Sequence, residues 1–293
     1  MNNRAFYVPC SAHSLNLVVN DAANITHDTV NFFNLIREIY VFFSSSTKRW
    51  SIICKHLPDL KLKALSATRW SSRIDAVKPL RYHLEKIFDA LLEISDNNSS
   101  EWDCTTTHKA HSLALNIQNY RFICLVVIWF DILNEINAIS KMMQNPTINT
   151  QICINLLNKL IHKFTEYHTD EHFERVLEEA TTVARELNVD ADFPPIDTVR
   201  PRRKPTQFQY EQSDEVLLDP KTKYKVDVFF RILDQTLTSL KRRFDELETF
   251  TDVFGFITNN NLFSYSKDDL MKHCKDLNVK LKIVQVVTQI LTV

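Results

Sequence analysis

The chain has 293 residues and a formal net charge of −1; 44% of its residues are hydrophobic and 24% are charged, as is typical of a globular protein. Gly255 is the only glycine, which argues against strand-rich folds because they need glycine at tight turns and bulges. The nucleotide-binding loops of kinases, P-loop NTPases and Rossmann dehydrogenases, and the nucleophile elbow of α/β-hydrolases, each need several glycines. The sequence therefore excludes these enzyme classes and favours helices joined by polar loops.

The amino-terminal stretch predicts a strand, a turn and a helix. Residues 6–8 (Phe-Tyr-Val) favour a short strand that Pro9 stops, and the apolar residues 15–19 suit the first turns of a buried helix. Cys10 and His13 lie on the predicted turn between them. Turns at the end of a strand are where α/β proteins commonly place functional residues.

Helical periodicity continues along most of the chain. The predicted helices cover residues 25–43, 47–57, 71–94, 105–118, 120–143, 148–168, 171–187 and 225–248, with two shorter helices toward residue 293. Pro79 is predicted to kink its helix or to start its second half. Residues 189–223 contain five prolines and predict a long connector without helix, which is unusual inside a compact domain and often functional.

The cysteines and the longest apolar run indicate a cellular context. The six cysteines are scattered without a C-x-x-C pair, and no signal peptide precedes them. We therefore expect reduced, intracellular cysteines that mostly pack in the core. The apolar residues 123–130 are far fewer than the roughly 20 needed to span a bilayer, so they predict a buried helix and no membrane span.

Two groups of residues contain the types that bind zinc. Cys10 and His13 supply two ligands and Cys104, His108 and His111 supply three, whereas a structural zinc site needs three or four. No second clean half-site accompanies either group, so we expect no bound metal. On spacing alone, Cys10 and His13 are better interpreted as a strand-end cysteine and a hydrogen-bonded histidine than as a site.

The pattern Cys10-x-x-His13, with the apolar residues 15–19 and the downstream Thr68-Arg69-Trp70, resembles the transposases of the hAT superfamily. It is more closely similar to their host-domesticated relatives among the MYM-type zinc-finger proteins. The resemblance covers most of the chain in order, through residues 43–50, 62–65, 73–80, 208–210 and 233–244. It implies a mainly α fold, in which a terminal strand-helix piece of a ribonuclease-H-like α/β core precedes a large all-helical insertion domain.

The resemblance also implies a domain organisation. Residues 1–23 would be the remnant of the ribonuclease-H-like core, with Cys10 and His13 lining the position of the family's active site. Residues 24–188 would be the helical insertion domain, residues 189–224 a proline-rich basic connector, and residues 225–293 the carboxyl-terminal helices of the insertion domain.

The family's catalytic carboxylates have no counterpart in this chain. Family enzymes cut and join DNA with three carboxylates that hold two divalent metal ions, Mg or Mn. Two of these are aspartates on strands before the C-x-x-H turn, and the third is a glutamate in a Ser-Glu-Arg segment that the chain lacks. Asp75, Asp234 and Asp245 lie in predicted helices and do not fill these positions. We therefore expect a catalytically incomplete protein that is not an enzyme and binds no cofactor.

The charged residues are segregated along the sequence. Residues 48–86 contain ten Lys or Arg and three acidic residues, a net of +7, whereas residues 166–192 contain nine acidic residues and two Arg, a net of −7. By resemblance, Arg69 and Trp70 lie beside DNA, and the tryptophan stacks on a flipped base. A basic segment with an embedded tryptophan suits a surface that tracks phosphates and stacks bases, and Lys63 and Arg73 are predicted as neighbouring contacts. The alternative is a core tryptophan beside a solvated arginine.

Two functions follow as hypotheses. The first is a domesticated or decayed hAT-transposase-like protein that keeps a DNA contact near Arg69 and Trp70. The second is a helical protein-interaction scaffold without DNA affinity, with a protein partner or another copy of the chain bound at the acidic residues 166–192 or at the connector. Neither involves a membrane or a small-molecule substrate. Family resemblance implies a nuclear location, and the basic residues 200–204 fit a nuclear import signal or a solvated loop.

Overall fold

The computed structural model describes residues 10–66, 70–96, 102–145, 148–193, 219–258 and 266–281. Every regular element in these ranges is helical, which confirms the mainly α prediction. The elements are α1 Ser11–Ala23, α2 His27–Ser44, α3 Thr47–His56, α4 Trp70–Ser95, α5 Cys104–Ile117, α6 Tyr120–Met143, α7 Thr150–Tyr167, α8 Asp170–Glu186, α9 Pro220–Tyr224, a π-helical turn Lys225–Phe230, α10 Arg231–Thr258 and α11 Lys267–Leu281. The strand predicted at residues 6–8 lies outside the described residues, as do the basic residues 200–204.

Polar side chains define where several helices begin. Thr26 precedes α2, and its hydroxyl accepts a hydrogen bond from the backbone of Thr29 in a capping box. Asp103, Asn149 and Thr169 accept equivalent bonds at the starts of α5, α7 and α8. Each cap satisfies one of the backbone donors that a helix start leaves free. These caps explain why the predicted helices and the observed ones begin within a few residues of each other.

Helix α6 forms the centre of the hydrophobic core. Residues 122–129 are all buried, so this stretch is enclosed on every side, which confirms the buried helix predicted from its apolar run. The helices α1, α4, α7 and α8 pack around it, and its Trp129 ring meets Phe33 of α2 edge-on at 4.8 Å between centroids. By its length and composition alone, α6 could also cross a membrane. Helices that are buried in a protein core meet the same two criteria.

Helix α1, the first helix of the described chain, packs against the late helix α10. Its Leu15, Val18 and Ala22 are buried because it packs against α10, α6 and α4. These residues therefore share one hydrophobic core with the later helices. The polar end of α1, at Asn20 and Asp21, lies between α4 and α10, and this placement builds the site described below.

Several predicted boundaries were wrong. Helix α1 begins at Ser11, so Cys10 is its N-cap and His13 lies in its first turn, not on a loop before a helix that starts near residue 15. The cap of α3 is Ser46, one residue before the predicted Thr47. The predicted helix 225–248 lies within a longer helical stretch that begins at Pro220 of α9 and ends at Thr258 of α10. The stretch begins earlier than predicted because Pro220 occupies the first turn of α9 after the Asp219 cap, a position that proline favours.

The prediction that the cysteines mostly pack in the core was also wrong. Cys124 is the one buried cysteine among the described residues, while Cys54 and Cys153 are partly buried. The remaining three, Cys10, Cys104 and Cys274, are exposed. Burial raises the pKa of the Cys124 thiol to about 12, so this side chain behaves as a small apolar group.

Candidate nucleic-acid interface

Two pairs of residues, one pair inside the other in sequence, connect the segment before α4 to the first turns of that helix. The amide of Ser66 donates to the hydroxyl of Ser72 at 2.8 Å, and that hydroxyl donates back to the Ser66 carbonyl at 3.1 Å. Outside this clamp, the ammonium of Lys63 pairs with the carboxylate of Asp75 at 2.9 Å. These contacts hold Ser66 and Ser72 close together at the two ends of the segment that contains Trp70, the first residue of α4; we call this segment the loop of residues 66–72.

The predicted DNA contacts between Ser66 and Ser72 are described only in part. Thr68 and Arg69 lie outside the described residues, and for Trp70 the structure describes the backbone alone. That backbone opens a helix of 26 residues. The backbone N–H groups and the positive end of the dipole at a helix start attract phosphate groups.

Arg73 is predicted as a DNA contact, but its guanidinium points into the protein. It donates to Oδ1 of Asn20 on α1 at 2.6 Å and lies over the ring of Phe33 on α2, 4.6 Å from its centroid. Burial lowers the pKa of this guanidinium from its ordinary value. Arg73 therefore fastens the start of α4 to α1 and α2. Lys63 likewise closes the loop through Asp75, although its side chain stays 58% exposed.

Two of the other basic side chains in residues 48–86, Lys55 and Arg81, form ion pairs with acidic residues outside the segment. Arg81 forms an ion pair with Glu179 of α8, and His56 and Lys55 of α3 both approach Glu93 near the end of α4. Glu93 and Glu179 lie outside the basic segment in sequence, so a count along the chain misses them. Three lysines in the segment make no ion pair with the described residues, namely Lys61, Lys78 and Lys86.

A second group of basic side chains lies beside this loop and was not predicted from the sequence. Oδ2 of Asp21 accepts hydrogen bonds from the Ser239 hydroxyl at 2.6 Å, from Arg243 at 2.7 Å and from Arg242 at 3.2 Å. Partial burial acts to raise the pKa of the Asp21 carboxyl, but the hydrogen bonds from Ser239 and Arg243 lower it below its ordinary value. One carboxylate thus holds two guanidinium groups, and a positive charge is left over.

The end of α1 places the two basic groups side by side. Asn20 holds Arg73 of α4, and the next residue, Asp21, holds Arg243 and Arg242 of α10. Consecutive helical residues project about 100° apart, so α4 and α10 lie on neighbouring sides of α1. The Arg242 side chain is 65% exposed, whereas that of Arg243 is 22% exposed. The available signal was the Lys241-Arg242-Arg243 triplet, which lies more than 150 residues after the basic segment.

Cys10 and His13 are not part of this surface. Both are exposed at the start of α1, and Cys10 makes no capping hydrogen bond with its side chain. Asn20 lies ten residues after Cys10, a separation of about 15 Å along a helix. Within the part of the chain that the structure describes, no group of three or more His, Cys, Asp or Glu is arranged to hold a metal ion.

An open cleft of about 510 Å³ follows α8 on another side of the protein. Its lining combines buried apolar groups with polar ones, among them Tyr120, Leu177, Phe193, Thr181 and Arg185. Glu178 and Asp192 also line it, and their exposed carboxylates form no ion pair with the described residues. Glu174, by contrast, is paired with Lys221 at 2.7 Å. Arg185 lines the cleft as well and forms no ion pair with the described residues, so the lining carries three acidic and two basic side chains, a net charge of −1 that makes the rim weakly acidic.

The chain was compared with known proteins at three levels. No model of a protein family matches it, and neither a curated protein nor a solved structure matches it.

Proposed function

We propose that this chain is a catalytically incomplete, hAT-transposase-like protein that contacts DNA through the loop of residues 66–72. The contacts between Ser66 and Ser72 carry the proposal, because they hold together the two described residues that flank the motif Thr68-Arg69-Trp70 at the start of α4. Flanking residues that are already held together lower the entropic cost of binding. A helix start favours a phosphate, and a tryptophan beside it offers a face for stacking a base. The proposed role is binding in the nucleus, without a metal cofactor and without strand transfer.

The proposal is tested by fluorescence anisotropy with a hairpin-ended DNA at low and at physiological salt. Replacing Trp70 with Ala should weaken binding by roughly 1–3 kcal/mol, the usual worth of one base–aromatic stack. The Trp102→Ala variant is the matched control, because Trp102 is packed near Lys48 of α3 and lies outside the loop. Equal binding by the wild type and the Arg69→Ala/Trp70→Ala variant at both salt concentrations would contradict a contact by this motif.

A second candidate function, a helical protein-interaction scaffold, is favoured by a different observation. Glu93 and Glu179 neutralise basic side chains of residues 48–86, which weakens the positive field that DNA would meet. The cleft along α8 presents Glu178 and Asp192 without ion pairs to the described residues, and a basic protein segment would complement that rim.

The scaffold is tested by crosslinking from nuclear extract followed by mass spectrometry. The Glu178→Lys/Asp192→Lys variant should lose the partners that crosslink to α8 in the wild type. The Glu171→Lys variant, which changes an exposed acid of α8 that does not line the cleft, should keep them. Recovery of no partner, or of the same partners with all three proteins, would count against the scaffold.

A further inference from the structure

We propose that Lys241 and Arg242 of α10 form a phosphate-binding surface that holds the DNA backbone beside the loop of residues 66–72. This inference deepens the proposed function and rests on it, because it adds a second contact to the same DNA. No feature of the sequence assigns a ligand to these residues. Their position in the fold, their exposure and the charge around them suit them to a phosphate.

The placement follows from two consecutive residues of α1. Asn20 is hydrogen-bonded to Arg73, three residues after the first residue of α4, while Asp21 is hydrogen-bonded to Arg242 and Arg243. Residues more than 160 positions apart are thereby brought to one end of α1. A DNA backbone that meets the start of α4 would therefore pass within reach of α10.

The exposure of the basic side chains decides which of them can reach a phosphate. Arg73 and Arg243 are largely enclosed and serve to fasten α4 and α10 to α1. The Arg242 side chain is 65% exposed, and one of its terminal nitrogens is bound to Asp21 at 3.2 Å. Lys241 is exposed and makes no ion pair with the described residues. These two side chains are therefore the ones available to a ligand.

The local charge favours an anion. Asp21 is shared by two guanidinium groups, so it compensates only one of them, and Lys241 adds another positive charge. Asp245 lies one turn farther along α10, but it forms no ion pair with Lys241. Asp21 also restrains the Arg242 side chain before any ligand arrives, which lowers the entropic cost of binding. A polyanion with regularly spaced phosphates complements this arrangement.

The test is the salt dependence of DNA affinity, measured by anisotropy on the full chain between about 50 and about 200 mM salt, where each phosphate contact adds about 0.9 to the slope for duplex DNA. The Lys241→Ala/Arg242→Ala variant should therefore lower that slope by about 2. The conservative Arg242→Lys variant should retain the wild-type slope. Thermal melts check that the variants fold, as expected for substitutions of exposed side chains.

A matched control removes two positive charges elsewhere. Lys86 lies thirteen residues after Arg73 on α4, about 20 Å along the helix, and Lys223 precedes Arg242 by nineteen residues of helical chain, about 28 Å. The Lys86→Ala/Lys223→Ala variant has the same net charge as the test variant and should keep the wild-type slope. Equal loss of slope in both variants would show a general charge effect and would overturn the inference.

The outcomes separate this inference from the proposed function. If Trp70→Ala weakens binding while Lys241→Ala/Arg242→Ala matches the wild type in slope and affinity, the inference is overturned and the proposed function stands. If only the α10 variant weakens binding, the α10 surface stands and the contact by the loop is overturned. If the folded wild type does not bind DNA at low salt, both are overturned.

Discussion

Arg81 of α4 and Glu179 of α8 form an ion pair that joins the most basic and the most acidic segments of the chain. The Arg81 guanidinium also lies over the ring of Phe130 on α6, and its side chain is only 19% exposed. Two segments that look like opposite binding surfaces in the sequence are therefore partly each other's partners. The ion pair therefore affects the stability of the fold, and it also reduces the net charge that each of the two segments offers to a ligand.

The Arg81→Ala variant should lower the free energy of unfolding by about 1–3 kcal/mol, because it removes a charge-assisted hydrogen bond and the packing of the alkyl chain. The measurement is urea denaturation followed by circular dichroism. The control is Lys63→Ala, which removes a more exposed ion pair and should cost less than about 1 kcal/mol. Equal costs for the two variants would show that the Arg81 contact adds nothing beyond a surface pair.

The sequence predicted the helical elements well, because a lack of glycine and a 3.6-residue periodicity are local properties. It predicted the interface poorly, because charge partners are not local. Glu179 pairs with Arg81 across 98 positions, and Arg243 reaches Asp21 across 222 positions. A count of charges within one segment therefore predicted an exposed Arg73. Its guanidinium instead lies inside the protein, where it contacts Asn20 and the Phe33 ring. The helix starts were predicted to within a few residues because their caps, such as Thr26 on the backbone of Thr29, are local contacts.

Asp131 of α6 should make the protein less stable as pH rises from about 4 to about 6. Burial and the nearby Glu179 raise the pKa of this carboxyl and Arg81 lowers it, so that the net result is a pKa of about 6. Its pKa in the unfolded chain is about 3.9. Between these values the folded state holds the proton that the unfolded state has lost, so deprotonation opposes folding as pH rises.

The Asp131→Asn variant tests this contribution. It should be more stable than the wild type at pH 7, by at most about 3 kcal/mol for a shift of roughly two pKa units, and the difference should vanish near pH 4. Urea denaturation at several pH values measures it. A variant whose advantage stays constant from pH 4 to pH 7 would show that packing, and not titration, causes the effect.

His172 of α8 should make the protein less stable as pH falls, which is opposite to the effect of Asp131, and the two pH ranges overlap. Burial, together with the positive charges of Arg175 and Lys163, lowers the pKa of its imidazole to about 4. The ring stacks on Tyr167 at 4.0 Å between centroids. The unfolded chain takes up this proton below about pH 6.5, so stability falls as pH drops from there to about 4. In wild type, Asp131 and His172 therefore offset each other in part.

The variants at these two positions separate the opposing contributions. The Asp131→Asn protein should lose stability more steeply than the wild type when pH falls from 6.5 to 4, because His172 then acts without its counterpart. Adding His172→Phe, which keeps an aromatic ring beside Tyr167 and cannot be protonated, should flatten that dependence. Persistence of the steep dependence in the double variant would assign it to another group.

The Asp21→Asn variant should separate stability from DNA affinity. Asp21 holds Ser239, Arg242 and Arg243 with charge-assisted hydrogen bonds, so its replacement should cost about 1.5–3 kcal/mol in the free energy of unfolding at pH 7. Because the pKa of Asp21 is lowered in the folded state, its contribution is present above the unfolded pKa and is lost as pH falls through the folded one. The difference between the two proteins should therefore shrink under acidic conditions.

The same substitution removes a negative charge from the proposed phosphate-binding surface and leaves Lys241, Arg242 and Arg243 in place. DNA affinity at low salt should therefore rise although the protein is less stable, and the salt dependence should become steeper. Ser239→Ala is the control, because it removes one hydrogen bond to Asp21 without changing any charge, and it should lower stability while leaving DNA affinity as in the wild type. Affinity that falls in parallel with stability in both variants would show that α10 matters for the fold alone.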